Sequence, residues 1–358
     1  MLRVLLVRLS SLGDVLFTLP ALERLGEGMP GARIEWAVED RFAPILEGHP
    51  LLDEVVVYPR RAWTRGVRRP WLLPSGALLL ARHFAGLRRR RYDLVLDFQG
   101  NLKSALHVRS AGAPRSVGFA AGHAREGSHL FVNGRVVPPP TAVHRVDKFL
   151  SLLSAIGLAT ERPARVTPLP LDPDRARGMA AALPEGPEAV AILHPATSGW
   201  GRDKQWPAER FAALAQRLRA ETGARVLVSF GPGERPLADE VAARSRGAAS
   251  AAPATASLQD LAALLSLADL FVGADTGVLH LACALGRPAV GLYGPTDPAV
   301  YGPLGENALV VRKGAASARR DRSRISPAML AIEVGDVWPA CQRLLERAEG
   351  KATGKTAS

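Results

Sequence analysis

The sequence predicts an α/β protein made of two doubly wound, Rossmann-like domains. Short apolar runs alternate with helical patterns in two separate series, as expected of parallel sheets covered on both faces. A stretch rich in Pro, Arg and Ala divides the series. The 358 residues suffice for two domains of ordinary size, each with its own core. In open α/β sheets ligands sit beyond the carboxyl ends of the strands, so two such halves joined by one linker are expected to face a cleft.

The first series opens with an apolar strand, Leu2–Val7. The loop Ser10-Ser-Leu-Gly-Asp14 and a helix to about Leu25 follow. Further strands are expected at Arg33–Val38, Glu54–Tyr58, Leu94–Phe98 and Ser116–Phe119, and helices at Phe42–Glu47, Leu78–Arg90, Leu102–Ser110 and Ala142–Ile156. Ala159–Pro187 reads as a linker containing a short helix. The second series has strands at Ala189–Leu193, Arg225–Phe230, Ala268–Ala274 and Ala289–Tyr293, and helices at Ala208–Glu221, Pro236–Arg244 and Leu258–Leu267. The amphipathic pattern Val334–Ala348 reads as a helix docking back on a domain. The expected division is residues 1–165, 166–325, a helical segment 326–348 and a disordered tail 349–358.

A hydrophobic content of 47% argues against disorder. Cys283 and Cys341 lie in apolar helical patterns without metal-ligand spacing, so buried thiols in a reducing compartment are expected. The apolar start is short and runs into Arg8 rather than a cleavage site, and no apolar run reaches the ~20 residues of a membrane span. The net charge of +12 is uneven, with ten arginines and no Asp or Glu between Arg60 and Arg91. Such a stretch is either a solvated basic face or an attractor of anions.

The polar residues with chemical potential lie at expected strand ends. Asp275-Thr-Gly-Val-Leu-His280 turns from a strand into a helix, leaving free N–H groups and the positive end of a helix dipole for an anion such as a diphosphate. Asp14 follows the first strand, and reads either as a helix N-cap or as a carboxylate able to take a proton from an attacking hydroxyl. His194-Pro-Ala-Thr-Ser198 ends another strand, with Lys204 beyond it; hydroxyls and a mobile ammonium there suit phosphate oxygens. Glu234 reads as helix-dipole compensation or as a partner for ribose hydroxyls. Tyr293-Gly-Pro-Thr-Asp-Pro298 is a tight turn. The sequence has no GxGxxG fingerprint, P-loop, nucleophile elbow or HExxH, which weighs against a nicotinamide dehydrogenase and an NTPase.

These segments together resemble the ADP-heptose:lipopolysaccharide heptosyltransferases, glycosyltransferase family 9, and most of all the heptosyltransferase I type. The resemblance runs from Leu2 to about Leu345. It rests on Arg8-Leu-Ser-Ser-Leu-Gly-Asp-Val-Leu-Phe-Thr-Leu-Pro-Ala-Leu22, Asp97-Phe-Gln-Gly-Asn-Leu-Lys-Ser-Ala105, Asp275–His280 and Tyr293–Pro298. It implies the GT-B fold and inverting transfer of a heptose from ADP-heptose to an acidic, lipid A-linked inner-core acceptor. The nucleotide sugar would be a co-substrate, with no cofactor and no metal. By the same resemblance Asp14 is the catalytic base. Thr197, Ser198 and Lys204 contact the donor phosphates, Glu234 the ribose and Asp275 the donor sugar, with Thr276, Gly277 and His280 beside the diphosphate. Arg60 and Arg61 fall in a basic acceptor loop, and Arg125 is a second acceptor-side arginine.

The implied setting is the cytoplasm, at the cytoplasmic face of the inner membrane, with the arginines meeting acidic lipid and Trp71–Pro74 or Leu78–Leu80 at the interface. Two features depart from the family pattern: a longer loop from His194 to Lys204, and only small residues at Pro253–Leu258. The alternatives are a GT-B transferase with another donor and glycan, a nucleotide-sugar epimerase, and a nucleic-acid-binding module. The last lacks interleaved aromatics and a reader motif, so no nucleic acid is expected.

Overall fold

The computed structural model describes residues 1–68, 73–183, 189–197, 201–315 and 321–354. The chain divides into two compact units, Met1–Pro170 and Leu171–Ser358. The first contains β1 (Arg3–Val7), α1 (Leu12–Gly28), β2 (Arg33–Glu39), β3 (Glu54–Tyr58), α2 (Arg60–Arg68), α3 (Leu73–Arg89), β4 (Leu94–Asp97), α4 (Leu102–Ala111), β5 (Arg115–Phe119), β6 (Gly134–Val136) and α5 (Arg145–Ser151). Its six strands are parallel, in the order β3-β2-β1-β4-β5-β6. Val4 to Val7 and Trp36 to Val38 are inaccessible to solvent, as strands covered on both faces require.

The amino edge of this sheet is tied by charge. Glu35, fully buried, accepts hydrogen bonds from Tyr92 Oη (2.7 Å), Arg3 (2.6 Å), Arg33 (2.9 Å) and Arg90 (2.6 Å). Burial works to raise its carboxyl, but these donors outweigh it and bring the pKa down to about 2.

Two expectations change in this unit. The basic segment from Arg60 is a helix rather than a loop. The Asp40 carboxylate accepts from the Arg61 amide (2.9 Å), satisfying a first-turn donor, and the Thr64 hydroxyl donates to the Arg60 carbonyl (3.0 Å). Trp71 and Leu72 lie outside the described residues, while Leu78 and Leu79 are exposed. The expected helix at Phe42–Glu47 is a single 3₁₀ turn, Ala43–Ile45, and the one at Ala142–Ile156 is α5 continued by a 3₁₀ stretch, Leu152–Ile156. The first part of the expected linker docks on α1: Arg24 donates to the carbonyls of Glu161 (3.0 Å) and Arg162 (3.1 Å), and Glu23 accepts from the Thr167 amide (2.8 Å).

The second unit contains α6 (Pro173–Ala181), β7 (Val190–His194), α7 (Ala208–Thr222), β8 (Arg225–Val228), α8 (Arg235–Arg244), β9 (Ala249–Ala251), α9 (Leu258–Ser266), β10 (Leu270–Ala274), α10 (Gly277–Ala284), β11 (Ala289–Tyr293), α11 (Pro298–Tyr301), β12 (Ala308–Arg312), α12 (Pro327–Leu330) and α13 (Val334–Gly354). Its parallel sheet has the order β12-β11-β10-β7-β8-β9, the first sheet's order read from the other edge. Trp206 and Phe211 pack edge to face at its centre, and α13 adds Val337, Trp338, Cys341 and Leu344 to the same core. Where a tail is expected from residue 349, α13 runs on to Gly354. Residues 355–358 lie outside the described residues.

One buried cluster bears on acid stability. The rings of Tyr58, His83, Phe84 and His107 meet between β3, α3 and α4, with His83 and His107 centroids 5.0 Å apart. His107 Nδ1 donates to the Lys103 carbonyl (2.8 Å), and its buried Nε2 has no partner among the described residues. Burial, then the neighbouring His83, pushes the His107 pKa down to about 3. The folded state therefore stays neutral where the unfolded chain already binds a proton. The stabilisation is complete above the unfolded value of ~6.5 and is lost as pH falls below it. Replacing His107 by Phe removes this term. The stability of the wild type relative to His107→Phe should fall by about 2 kcal/mol between pH 7 and pH 5, read by urea denaturation at each pH.

Candidate active site

In each sheet the chain order reverses beside the first strand, at β1/β4 in the first unit and at β7/β10 in the second. Loops leaving such neighbours diverge and open a crevice at their carboxyl ends. Most of the polar residues singled out in the sequence lie on this edge of their own unit.

At the first switch point the Gln99 side chain, just after β4, accepts from the amides of Leu9 (3.1 Å) and Ser10 (3.2 Å), just after β1. That fixes the turn into α1. Ser11 takes the N-cap position, and Asp14 lies three residues further on, so the capping reading of Asp14 is set aside. The Asp14 carboxylate instead accepts from Ser11 Oγ (3.1 Å), Arg145 Nε (3.0 Å) and Arg8, whose terminal nitrogen lies 2.5 Å away. Burial works to raise the Asp14 carboxyl, but the charges of Arg8 and Arg145 outweigh it and hold it below its ordinary value. Asp97, at the end of β4, receives the amides of Gln99 and Gly100 and the Ser104 hydroxyl; burial nevertheless pushes its pKa up to about 6.

The acceptor-side arginines reach this edge by different routes. Arg60 donates to Glu39 (3.1 Å), a fully buried carboxylate closing β2. Lys103 on α4 also donates to Glu39 (2.5 Å) and lies 3.4 Å from Ser10 Oγ, so Arg60 is linked to the Asp14 loop through one carboxylate and one ammonium. Arg61 is exposed on the first turn of α2. Arg125 is exposed too, and its amide donates to the Gly100 carbonyl (2.8 Å) beyond β4. Arg8, Glu39, Lys103 and Arg145 have no role in the sequence reading. A charged residue closing the apolar run Trp36–Val38, as Glu39 does, is the signal that points to such a cluster.

At the second switch point Lys204, in the loop after β7, donates to Asp275 Oδ2 (2.7 Å) and to the Asp275 carbonyl (3.0 Å) after β10. His280, inside α10, places Nε2 3.3 Å from the other Asp275 oxygen. Burial alone would raise the Asp275 carboxyl; His280 and Lys204 outweigh it and hold it well below the usual range. Thr276 is the N-cap of α10, but its side chain makes no capping bond, and its buried Oγ1 has no partner among the described residues. The helix beginning at Gly277 thus keeps first-turn N–H groups uncapped by side chains. Glu234 occupies the N-cap position of α8, yet turns its carboxylate to the Gly231 amide (2.7 Å), and burial pushes its pKa up. Thr197 is half-buried just past β7, and Ser198 lies outside the described residues. His194, ending β7, meets Ser229 Oγ through Nδ1 (3.0 Å), and burial takes its pKa down to about 4. Among the described residues no group of three or more His, Cys, Asp or Glu is placed to hold a metal ion.

A buried carboxylate paired to an ammonium, next to a helix terminus with free amides, is suited to a ligand carrying both hydroxyls and a diphosphate. The family model for glycosyltransferase family 9 (heptosyltransferase) matches residues 80–330. The chain belongs to this family. It is 36% identical to lipopolysaccharide heptosyltransferase 1 of Pseudomonas aeruginosa over 306 residues, 85% of this chain and 82% of that protein. It has the GT-B fold, and superposes on the Escherichia coli heptosyltransferase WaaC solved with ADP at a TM-score of 0.73 and 29% identity, covering 97% of this chain and 100% of the other. WaaC with ADP-2-deoxy-2-fluoro heptose gives 0.71 and 30%, covering 97% and 99%.

Removing the charge of Asp275 would leave Lys204 without its carboxylate. Asp275→Asn is expected to cost about 3–5 kcal/mol at pH 7. Because the folded pKa is depressed, that stabilisation is complete above the unfolded value of ~3.9 and is lost as pH falls below it. The gap between wild type and variant, read by guanidinium denaturation, should therefore narrow below pH 4.

Proposed function

We propose that this chain transfers a heptose, with inversion, from ADP-heptose to an acidic sugar of the lipopolysaccharide inner core. The observation that carries the mechanism is the Asp14 carboxylate at the switch point of the first sheet, partly open to solvent and held ionised by two guanidinium groups. An acceptor hydroxyl attacks the anomeric carbon as the bond to the diphosphate breaks on the opposite face. The proton passes to Asp14, and ADP leaves. One displacement at one carbon inverts configuration, the geometry of inverting glycosidases with a sugar hydroxyl in place of water. Asp14 is a weak base in the resting chain, which suits a late proton transfer: the attacking oxygen becomes strongly acidic only once its bond to carbon is forming.

The second unit serves the donor. Negative charge grows on the leaving diphosphate, and the uncapped start of α10 at Thr276 and Gly277, with Lys204, Thr197 and Ser198, answers it, with His280 alongside. This supply of positive charge needs no metal ion. Asp275 takes hydroxyls of the heptose when Lys204 turns to the phosphates, and Glu234 takes those of the ribose. On the first unit Arg60, Arg61 and Arg125, joined by Lys103, receive the acid groups of the acceptor. Family membership and the 36% identity to a heptosyltransferase favour this reading over a GT-B enzyme with another sugar donor.

No described helix is long and apolar enough to cross a membrane. The lipid-linked acceptor is met from the cytoplasmic side by peripheral contact. Leu102 and Leu106 on α4, and Leu130 and Phe131 on the adjoining 3₁₀ turn Ser128–Phe131, are exposed, with Arg109, Arg125 and the Glu126 carboxylate at their rim, an apolar surface that suits a bilayer interface.

Asp14→Asn is the direct test. The substitution should lower kcat by about 10²–10⁴ while ADP affinity by calorimetry stays within about threefold. Near-normal turnover with ADP-heptose and a lipid A-core acceptor, followed by product mass, would remove Asp14 from the role of base.

A further inference from the structure

Two neighbouring strands hold the chain as it leaves β1, and they reach different distances along it. On the β2 side the Arg8 amide donates to the Ala37 carbonyl (3.2 Å), Trp36 Nε1 donates to the Arg8 carbonyl (3.1 Å), and the Leu9 carbonyl accepts from the Glu39 amide (3.1 Å). Those ties end at Leu9. On the β4 side a single side chain, Gln99, accepts the amides of both Leu9 and Ser10 on its Oε1. In a carboxamide only the oxygen accepts, so two amide donors fix which end of Gln99 faces the loop.

The loop depends on that outside hold because its local one is missing. A helix start is usually set by an N-cap side chain that accepts a first-turn amide. Ser11 occupies that position in α1 and makes no such bond. Its hydroxyl donates to Asp14 Oδ2 instead (3.1 Å). Beyond Leu9 the other polar hold on the loop from β4 and α4 is Lys103 Nζ, 3.4 Å from Ser10 Oγ, a long contact from an ammonium whose nearer partner is Glu39 (2.5 Å).

The end of β4 is rigid enough to serve as the anchor. The amides of Gln99 and Gly100 both donate to Asp97 Oδ1 (3.0 Å), and Asp97 Oδ2 accepts the Ser104 hydroxyl (2.9 Å). Phe98 is fully buried, with its amide on the Val7 carbonyl (3.1 Å). The Phe98 carbonyl accepts from Arg8 Nη1 (2.6 Å), and Arg8 pairs with Asp14 Oδ2. Two consecutive residues therefore set Asp14 from two directions. Phe98 acts through the guanidinium on its carboxylate, and Gln99 through the backbone that carries it.

We propose that Gln99 is a positioning residue for the transfer reaction: its carboxamide clips the turn between β1 and α1 to the end of β4 and so fixes where the Asp14 carboxylate stands. The inference rests on the reading of Asp14 as the base, and it adds the residue that places that base. A misplacement of roughly 1 Å at reacting groups can cost about 100-fold in rate.

The test is a double-mutant cycle with the full chain, ADP-heptose and a lipid A-core acceptor. Gln99→Met keeps the length of the side chain and removes the oxygen. It should lower kcat by about 30–100-fold and leave KM for either substrate within about threefold. Gln99→Glu keeps an oxygen for both amides and should hold kcat within about fivefold of wild type. In the Asp14→Asn background the Gln99→Met change should cost less than about threefold, because a residue that acts through the base then has nothing to position. An unchanged thermal midpoint and ADP affinity separate this from misfolding. Equal losses in the two backgrounds, a loss carried by KM, or a Gln99→Glu variant as slow as Gln99→Met would each overturn the proposal. Equal losses would point instead to a direct contact between the Gln99 amide nitrogen and substrate. Near-normal turnover in Asp14→Asn alone overturns the underlying reading of the base.

Discussion

A parallel strand is followed by a crossover, so every strand of such a sheet releases the chain at the same edge. In this protein that constraint operates twice, with the same strand order in each unit. Side chains far apart in sequence are delivered to one line: Arg8, Asp14, Phe98 and Lys103 in the first sheet, Lys204, Glu234 and Asp275 in the second. The contacts that define each half-site follow from it. Gln99 binds the loop after β1 only because β1 and β4 are neighbours, and Lys204 reaches Asp275 across 71 residues only because β7 and β10 are.

The same edge separates working charge from structural charge. Glu35, at the amino edge, is fully buried and saturated by Tyr92 and three arginines, and nothing that enters a crevice at the far edge would meet it. Asp14 and Asp275 resemble it chemically, as carboxylates kept ionised against burial by nearby cations. They differ in place: they stand at the carboxyl edge of their own sheets, beside the switch points, and not at the amino edge.

This division explains what could be read from the sequence. Asp275–His280 was legible because a strand, a small polar turn and a helix are local patterns, and a helix start is an anion site wherever it occurs. The central strands were legible from their unbroken apolar runs. β6 and β9 were not, because each has only three residues, and β12 was not, its one buried residue being Val311. The helix from Arg60 looked like a loop because its cap, Asp40, lies on another segment. Arg8 and Arg145 escaped for the same reason: their meaning is a distance to Asp14, and Arg145 is 131 residues from it. The pairing of His83 with His107 is equally non-local.

The clamp on Asp14 also bears on how hard the base has to work. A carboxylate raised toward neutrality would remove a proton from a free hydroxyl more readily, but it would also spend more time protonated. Asp14 takes the other course. Two guanidiniums hold its carboxyl below the ordinary value, and in the proposed displacement the transition state would supply the missing acidity as the attacking oxygen gives its electrons to the anomeric carbon. What a weak base then needs is alignment rather than strength. Ser11 and Arg8 hold one carboxylate oxygen and Arg145 the other, so the carboxylate is fixed in orientation.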